Sequence, residues 1–151
     1  MKFKLTHQRV DSIKTTVTYY PYAENKDFKF TLIISNKSIL TSKQQHHIER
    51  KILGADQTQK FNDLLAALNI FTPIQLNETH DILPVISQKL TIKSNKGLFL
   101  SITWTNADEL NYESHLRTVI NLVTALQLEF SPEGLGVLKA ELHGVIRPVY
   151  L

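Results

Sequence analysis

Strict alternation of apolar and polar residues is the sequence feature that most constrains the fold of this chain. Apolar residues occupy every second position in residues 28–34, 89–93 and 98–104. Such alternation gives a segment one apolar and one polar face, which is typical of a half-buried antiparallel strand. Residues 94–97, a short link containing Asn and Gly, join the second and third segments and predict a hairpin. The β-rich residues 15–20 are predicted to pair with residues 28–34 in another hairpin.

Two further segments show the spacing of amphipathic helices. Asp56 is a suitable N-cap for the first helix, and the second begins near residues 112–114 and ends at residues 131–134. The apolar stripes are formed by Phe61, Leu64, Leu65 and Leu68 in the first helix and by Leu116, Val119, Ile120, Val123 and Leu126 in the second. Renewed alternation in residues 138–142 predicts a late strand. We therefore predict a single α+β domain over residues 1–151, with an antiparallel sheet of two hairpins plus a C-terminal strand and two helices packed on one face.

Composition excludes several classes of site. The chain has no cysteine, so disulfides, Cys-ligated zinc, iron–sulfur clusters and a cysteine nucleophile are ruled out. Residues 1–9 contain no uninterrupted apolar stretch of the kind that a secretory signal needs. Residues 118–128, the longest charge-free helical stretch, are far shorter than the ~20 residues that cross a bilayer. A cytoplasmic protein without a membrane segment is expected.

Charge is distributed unevenly along the chain. The formal net charge is +3, but residues 1–54 carry +6 and residues 55–151 carry −3. If folding keeps these two regions apart, the molecule has two candidate binding faces of opposite sign.

Histidines and acidic residues raise the question of a catalytic or metal site. His46 and Glu49 would share one face of a helix at a spacing of three, but they supply two ligands where catalytic zinc normally takes three from the protein. His80-Asp81, with His46 or His47 before it and Asp108 after it, follows the residue order of a family of metal-dependent phosphohydrolases. That family is wholly helical, which does not fit a strand-rich chain. Because neither a G-x-S-x-G turn nor a Gly-rich phosphate loop is present, we predict no catalytic residue, metal or cofactor.

A nucleic-acid-binding face is suggested by the polar side of the predicted strands. If the apolar faces pack on the helices, Lys29, Lys89, Lys93 and Phe99 lie together on the opposite side of the sheet. Lysines with an aromatic residue on a sheet can hold phosphates and stack bases of a single strand. The simpler interpretation is that lysine and threonine occupy the solvated side of a sheet without binding anything.

An acidic cluster precedes the second predicted helix. Asp108, Glu109 and Glu113 would lie near its N-terminus, where negative charge is favourable. The same cluster is a candidate binding site for a basic partner protein, since complementary charge speeds association.

The overall progression of segments resembles small bacterial inhibitor proteins. The residues concerned are Phe61-Asn62-Asp63-Leu64-Leu65, Asn69-Ile70-Phe71, Asp81, Leu90-Thr91-Ile92 and Leu116-Arg117-Thr118-Val119-Ile120. Their order of hairpin, helix ending in an aromatic residue, loop, hairpin and helix is similar to that of emfourin-like metalloprotease inhibitors. Toxin-neutralising immunity proteins, which are small cytosolic α+β domains, are a second class that the chain resembles. Both resemblances imply function through a binding surface.

The leading hypothesis from the sequence is a non-enzymatic bacterial immunity or inhibitor protein. It would neutralise a toxin or enzyme by covering its active site. The alternative is a single-stranded nucleic-acid-binding protein that uses the open face of its sheet. The apolar residues Val145, Ile146, Val149, Tyr150 and Leu151 indicate that the C-terminal segment packs either on its own domain or on a neighbouring subunit, so a monomer or a homodimer through this segment is expected.

Overall fold

The computed structural model describes residues 3–5, 8–20, 28–44, 47–69, 85–94, 96–105, 114–131 and 145. These residues form seven strands and two helices in the order β1 (Phe3–Leu5), β2 (Gln8–Tyr20), β3 (Phe28–Ser35), β4 (Ile39–Gln44), β5 (His47–Ile52), α1 (Ala55–Asn69), β6 (Val85–Ser94), β7 (Gly97–Thr105) and α2 (Ser114–Phe130). No helix within these ranges is long and apolar enough to cross a membrane.

All seven strands belong to one antiparallel sheet with the order β5-β4-β3-β2-β6-β7, and β1 pairs with the start of β2. Strands β2 to β5 form a meander, and β6 with β7 forms a separate hairpin. The long strand β2 joins the two units, because it pairs with β3 on one side and with β6 on the other. The α+β fold and both predicted hairpins are therefore confirmed, while the sheet contains more strands than the sequence indicates.

Alternation explains which side of the sheet the helices cover. Inward-facing residues of the strands, such as Val17, Leu32 and Leu90, are buried in one cluster with the apolar stripes of the two helices. Phe61 of α1 and Val123 of α2 belong to this cluster. The side chains between these strand residues must point to the opposite side of the sheet, since successive residues of a strand alternate. Within the part of the chain that the structure describes, the two helices cover one face of the sheet and leave the other uncovered.

The start of α1 differs from the expected cap. Asp56 was predicted as the N-cap, but the helix begins at Ala55 and Asp56 lies in its first turn. The carbonyl of Gly54 accepts hydrogen bonds from the backbone N–H of Thr58 at 3.0 Å and from its hydroxyl at 2.9 Å. Asp56 still stabilises the helix start through its charge, which is favourable beside the positive end of the helix dipole.

A buried group of polar side chains fixes α2 against the sheet. Gln88 accepts a hydrogen bond from the indole Nε1 of Trp104 at 2.8 Å and donates to Thr124 and Gln127 of α2, also at 2.8 Å. The Thr124 hydroxyl in turn donates to the carbonyl of Ile120. Because each of these bonds has a defined direction, the group selects one position of α2 on the sheet.

The predicted C-terminal strand, residues 138–142, lies outside the described residues. Val145, farther along, is 2% exposed and belongs to the core cluster. Its carbonyl accepts a hydrogen bond from Arg117 Nη1 of α2 at 3.5 Å. This residue of the apolar tail therefore packs on the chain's own core.

Candidate functional site

The candidate site is the face of the sheet that the helices leave uncovered, which is called the open face below. Its side chains form rows across the strands, because residues paired directly between antiparallel strands point to the same side. Lys14 of β2 pairs with Ile33 of β3 and with Thr91 of β6. The neighbouring row contains Lys89, Thr16, Thr31 and Lys43.

Five lysines of the open face surround its centre and are called the lysine cluster: Lys14, Lys29, Lys43, Lys89 and Lys93. Lys93 lies opposite Ser12 at one end, and Lys29 lies opposite Thr18 at the other. With strands about 4.8 Å apart and about 3.4 Å per residue, the Cα atom of Lys14 is roughly 8 Å from those of Lys89 and Lys93. All five side chains are exposed.

The pKa of Lys14 reflects both its burial and the other four lysines of the cluster. Partial burial lowers the pKa of Lys14, and the positive charges of Lys29, Lys43, Lys93 and Lys89 lower that pKa further. Both effects disfavour the charged ammonium group. A bound anion would relieve this repulsion, so the cluster is a ready site for negative charge.

Carboxylates of the described residues lie away from the centre of the open face. Glu49 pairs with Ser42 on the helix side of the sheet, and Asp63 and Glu129 belong to the helices. Asp11 lies in the irregular part of β2 and pairs with Arg9 at 3.7 Å. Within these residues the lysine cluster therefore keeps its charge uncompensated.

Hydroxyl groups occupy most positions between the lysines, although Ile33 lies beside Lys14 and Thr31 is only 7% exposed. Thr16 and Thr31 lie side by side with their oxygens 3.4 Å apart, and Thr91 and Thr18 occupy the adjoining rows. Serine and threonine hydroxyls donate hydrogen bonds to phosphate oxygens in many complexes. The face thus combines positive charge with neutral donors.

The structure brings together three of the four residues predicted for a nucleic-acid face. Lys29, Lys89 and Lys93 lie on the open face as expected. The placement of Phe99 is a correction, because the pairing of β6 with β7 shifts by one residue between Ile92 and Lys93. Leu98 lies opposite Lys93 and is 65% exposed, whereas Phe99 is half-buried and packs against the core.

Two members of the lysine cluster were not identified from the sequence. Lys14 directly precedes the segment predicted as a strand, and continuing the alternation of Val17 and Tyr19 backwards places it on the polar side. Lys43 belongs to β4, which is too polar to show a strand pattern. Lys43 lies opposite Thr31 because β4 pairs with β3. This pairing is a tertiary contact, which the local sequence pattern of β4 does not indicate.

The helical face that His46 and Glu49 would share does not form at Glu49, because residues 47–52 form the exposed strand β5. His46 lies outside the described residues. His47 and Glu49, two residues apart on one side of the strand, approach to 2.7 Å between Nε2 and Oε1, and both are exposed. Among the residues that can be described, no group of three or more His, Cys, Asp or Glu side chains is arranged to hold a metal ion.

The predicted acidic cluster, formed by Asp108, Glu109 and Glu113, and the His80-Asp81 pair belong to segments outside the described residues. The proposed roles of these residues therefore stay predictions from the sequence.

A shallow cavity of about 150 Å³ lies between β4, β5 and the end of α2. Lys51 lies over the ring of Phe130 at 5.3 Å from its centroid, and Glu129 is bound to Lys60 at 2.7 Å. Ligand pockets usually enclose about 300–1,000 Å³, so this cavity is small for a substrate.

Comparison with known proteins leaves the site to be interpreted from its geometry. No protein-family model matches this chain, and no curated protein is significantly similar to it in sequence.

Proposed function

We propose that the protein is a non-enzymatic nucleic-acid-binding protein that holds the phosphate backbone on its open face. The observation that carries this proposal is the lysine cluster, which gathers five exposed lysines on one face of the sheet; partial burial and then the four neighbouring charges lower the pKa of Lys14. Placing phosphates above these ammonium groups removes their mutual repulsion and releases counterions from the nucleic acid. Both effects favour binding.

The composition of the open face favours a nucleic acid over a protein as its partner. Protein interfaces are typically depleted in lysine and have an apolar centre. Interfaces with nucleic acids are more polar and much more positive. The centre of the open face consists of Lys14, Thr16, Thr31 and Thr91 with one apolar residue, Ile33. It is therefore mainly polar and positive, which fits the second description better.

Binding through this face is expected to depend little on base sequence. None of the open-face side chains that the structure describes is aromatic, and Phe99 packs against the core instead of stacking on a base. Contacts with phosphates fix position without reading bases. The open face is therefore suited to binding the phosphate backbone of a nucleic acid. Single-stranded and double-stranded ligands are both to be tested.

The test is fluorescence anisotropy with labelled 20-nucleotide single strands and duplexes of mixed sequence at several salt concentrations. If all five lysines each neutralise one phosphate, log K should fall against log salt with a slope of about −3.5 for single strands. The variant Lys14→Gln/Lys89→Gln/Lys93→Gln should reduce that slope to about −1.4.

The matched control is Lys60→Gln, which removes one positive charge from α1 on the other side of the sheet. It should leave both affinity and slope unchanged. The single variant Lys14→Gln, which also removes one positive charge, should weaken binding. Absence of binding at low salt, or equal losses in Lys60→Gln and in Lys14→Gln, would contradict the proposal. Competition by polyglutamate as strong as that by an oligonucleotide would instead indicate an acidic protein partner.

An immunity or inhibitor protein is the second candidate function. The observation that favours it is a set of exposed isoleucines at the β4–β5 end of the sheet, since exposed apolar clusters mark protein interaction sites. Co-expression with the product of the neighbouring gene tests this candidate. A complex that survives purification and relief of toxicity would support it, and failure of both would remove it.

A further inference from the structure

Strand β5 forms one edge of the sheet among the described strands, and the end of α2 approaches its helix side, where Lys51 lies over the ring of Phe130. The sheet ends at β5, which pairs with β4 alone among the described strands. All six residues of β5 are exposed. Among the described strands none pairs with its outer backbone groups, a situation that proteins usually prevent because it promotes association.

Apolar side chains make this edge unusual. Ile48 is 50% exposed and Ile52 is 79% exposed, and both lie on the open-face side of β5. Ile39 of β4 pairs with Ile52 and is 37% exposed. An edge strand with such side chains is suited to burial against another strand.

We propose that β5 pairs with β5 of a second copy of this chain, antiparallel and about a two-fold axis at Arg50. An axis perpendicular to the sheet keeps the open faces of both copies on the same side, so opposed residues must belong to the same face. With the axis at Arg50, Ile48 lies opposite Ile52 of the second copy. Glu49 then lies opposite Lys51 of the second copy, and each of these pairs occurs twice.

Moving the two-fold axis by one residue in either direction gives less favourable pairs of side chains. An axis at Glu49 opposes the two Glu49 residues and places Ile48 opposite Arg50. An axis at Lys51 opposes the two Lys51 residues and again places an isoleucine opposite Arg50. Of these three registers, the one with the axis at Arg50 joins both opposite charges and apolar residues, and it leaves Arg50 opposite itself as the one like-charged pair.

Joining the copies at β5 would give one continuous sheet whose two lysine clusters lie on the same side. A bound polyanion of sufficient length would then contact both copies. The dimer is argued from β5 alone and does not require that anything binds the open face.

The test is the oligomeric state, measured by sedimentation velocity from about 1 to 200 μM without nucleic acid. Wild type should form a dimer. Glu49→Lys and Lys51→Glu should each weaken the dimer at least about tenfold, because each makes two cross-strand pairs repulsive. The double variant Glu49→Lys/Lys51→Glu restores opposite charges across the axis and should recover wild-type affinity.

Two further variants complete the design. Arg50→Thr removes the like-charged pair and should tighten the dimer. Asp63→Lys reverses an exposed charge on α1 and should leave the dimer unchanged, and circular dichroism checks that every variant is folded. A monomer at 200 μM, or a dimer that the single reversals do not weaken, would overturn the proposal. Failure of the double variant to recover, with a folded protein, would overturn it as well.

Discussion

Gln88 shows how a single buried side chain can determine the position of a helix. It is fully buried between the sheet and α2, and its amide group is bonded to Trp104, Thr124 and Gln127. Both N–H donors and the oxygen of the amide are used, so the side chain is buried without an unsatisfied atom. A leucine of similar size would fill the space but leave the indole N–H of Trp104 without its acceptor.

We predict that Gln88→Ala lowers the free energy of unfolding by about 3 kcal/mol, because it creates a cavity and leaves buried partners without hydrogen bonds. Urea denaturation gives this value. Gln59→Ala on the exposed side of α1 serves as the control and should change the free energy by less than about 0.5 kcal/mol. A loss below about 1 kcal/mol for Gln88→Ala would mean that the group tolerates rearrangement.

At the level of elements, strands with a buried face could be predicted and strands without one could not. Strands β3, β6 and β7 alternate clearly because one side of each contributes to the core. Strand β5 has no buried residue, so burial imposes no apolar pattern on it. Its strand conformation follows from pairing with β4, and such context regularly overrides local propensity.

In the β6–β7 hairpin, both strands were predicted correctly, but alternation assigned some side chains of β7 to the wrong face of the sheet. The one-residue shift between Ile92 and Lys93 inserts an extra residue in β7, so alternation counted from Trp104 backwards is reversed beyond Leu100. The nearby Gly97, at φ 110°, is a hint of irregular backbone but does not locate the shift. Three of the four predicted open-face residues were therefore placed correctly and Phe99 was not.

The one-residue shift in β7 leads to a prediction for Leu98 and Phe99. Strict alternation would predict the opposite order of their effects on stability. Phe99→Ser should lower the free energy of unfolding by about 2 kcal/mol, because part of the ring is buried against the core. Leu98→Ser should change it by less than about 0.5 kcal/mol, since Leu98 is exposed. Thermal or urea denaturation of the two variants compares them directly, and a larger effect of Leu98→Ser would show that the two residues are placed the other way round.

For the whole molecule, the distribution of charge follows the sheet and not the order of the sequence. Lys89 and Lys93 belong to the part of the chain with a net charge of −3, yet β6 pairs with β2 and brings them beside Lys14. Counting charge along the sequence predicted two oppositely charged regions. The open face instead gathers lysines from both regions, because the sheet places distant segments side by side.

The lysine cluster also predicts how stability depends on pH. The pKa of Lys14 is lowered in the folded protein, so between that value and about 10.4 the unfolded chain binds more protons than the folded one. The free energy of unfolding should therefore rise with pH through this window.

Two variants isolate this effect in urea denaturation at a series of alkaline pH values. Lys14→Arg keeps its charge and should lack the rise. Lys14→Met removes the charge, and it should lack the rise while being more stable than wild type at neutral pH. If wild type and Lys14→Arg change in parallel with pH, the lowered pKa of Lys14 does not affect stability.

The position of β6 in the sheet has a consequence for the emerging polypeptide. Strand β2 pairs with β3 soon after synthesis, but its second partner lies some 65 residues later, beyond α1. During translation at roughly 5–20 residues per second, the β6 side of β2 stays unpaired for several seconds. The nascent meander then has two unpaired edges, at β2 and at β5, which makes this interval the time when misassembly and capture by chaperones are most probable.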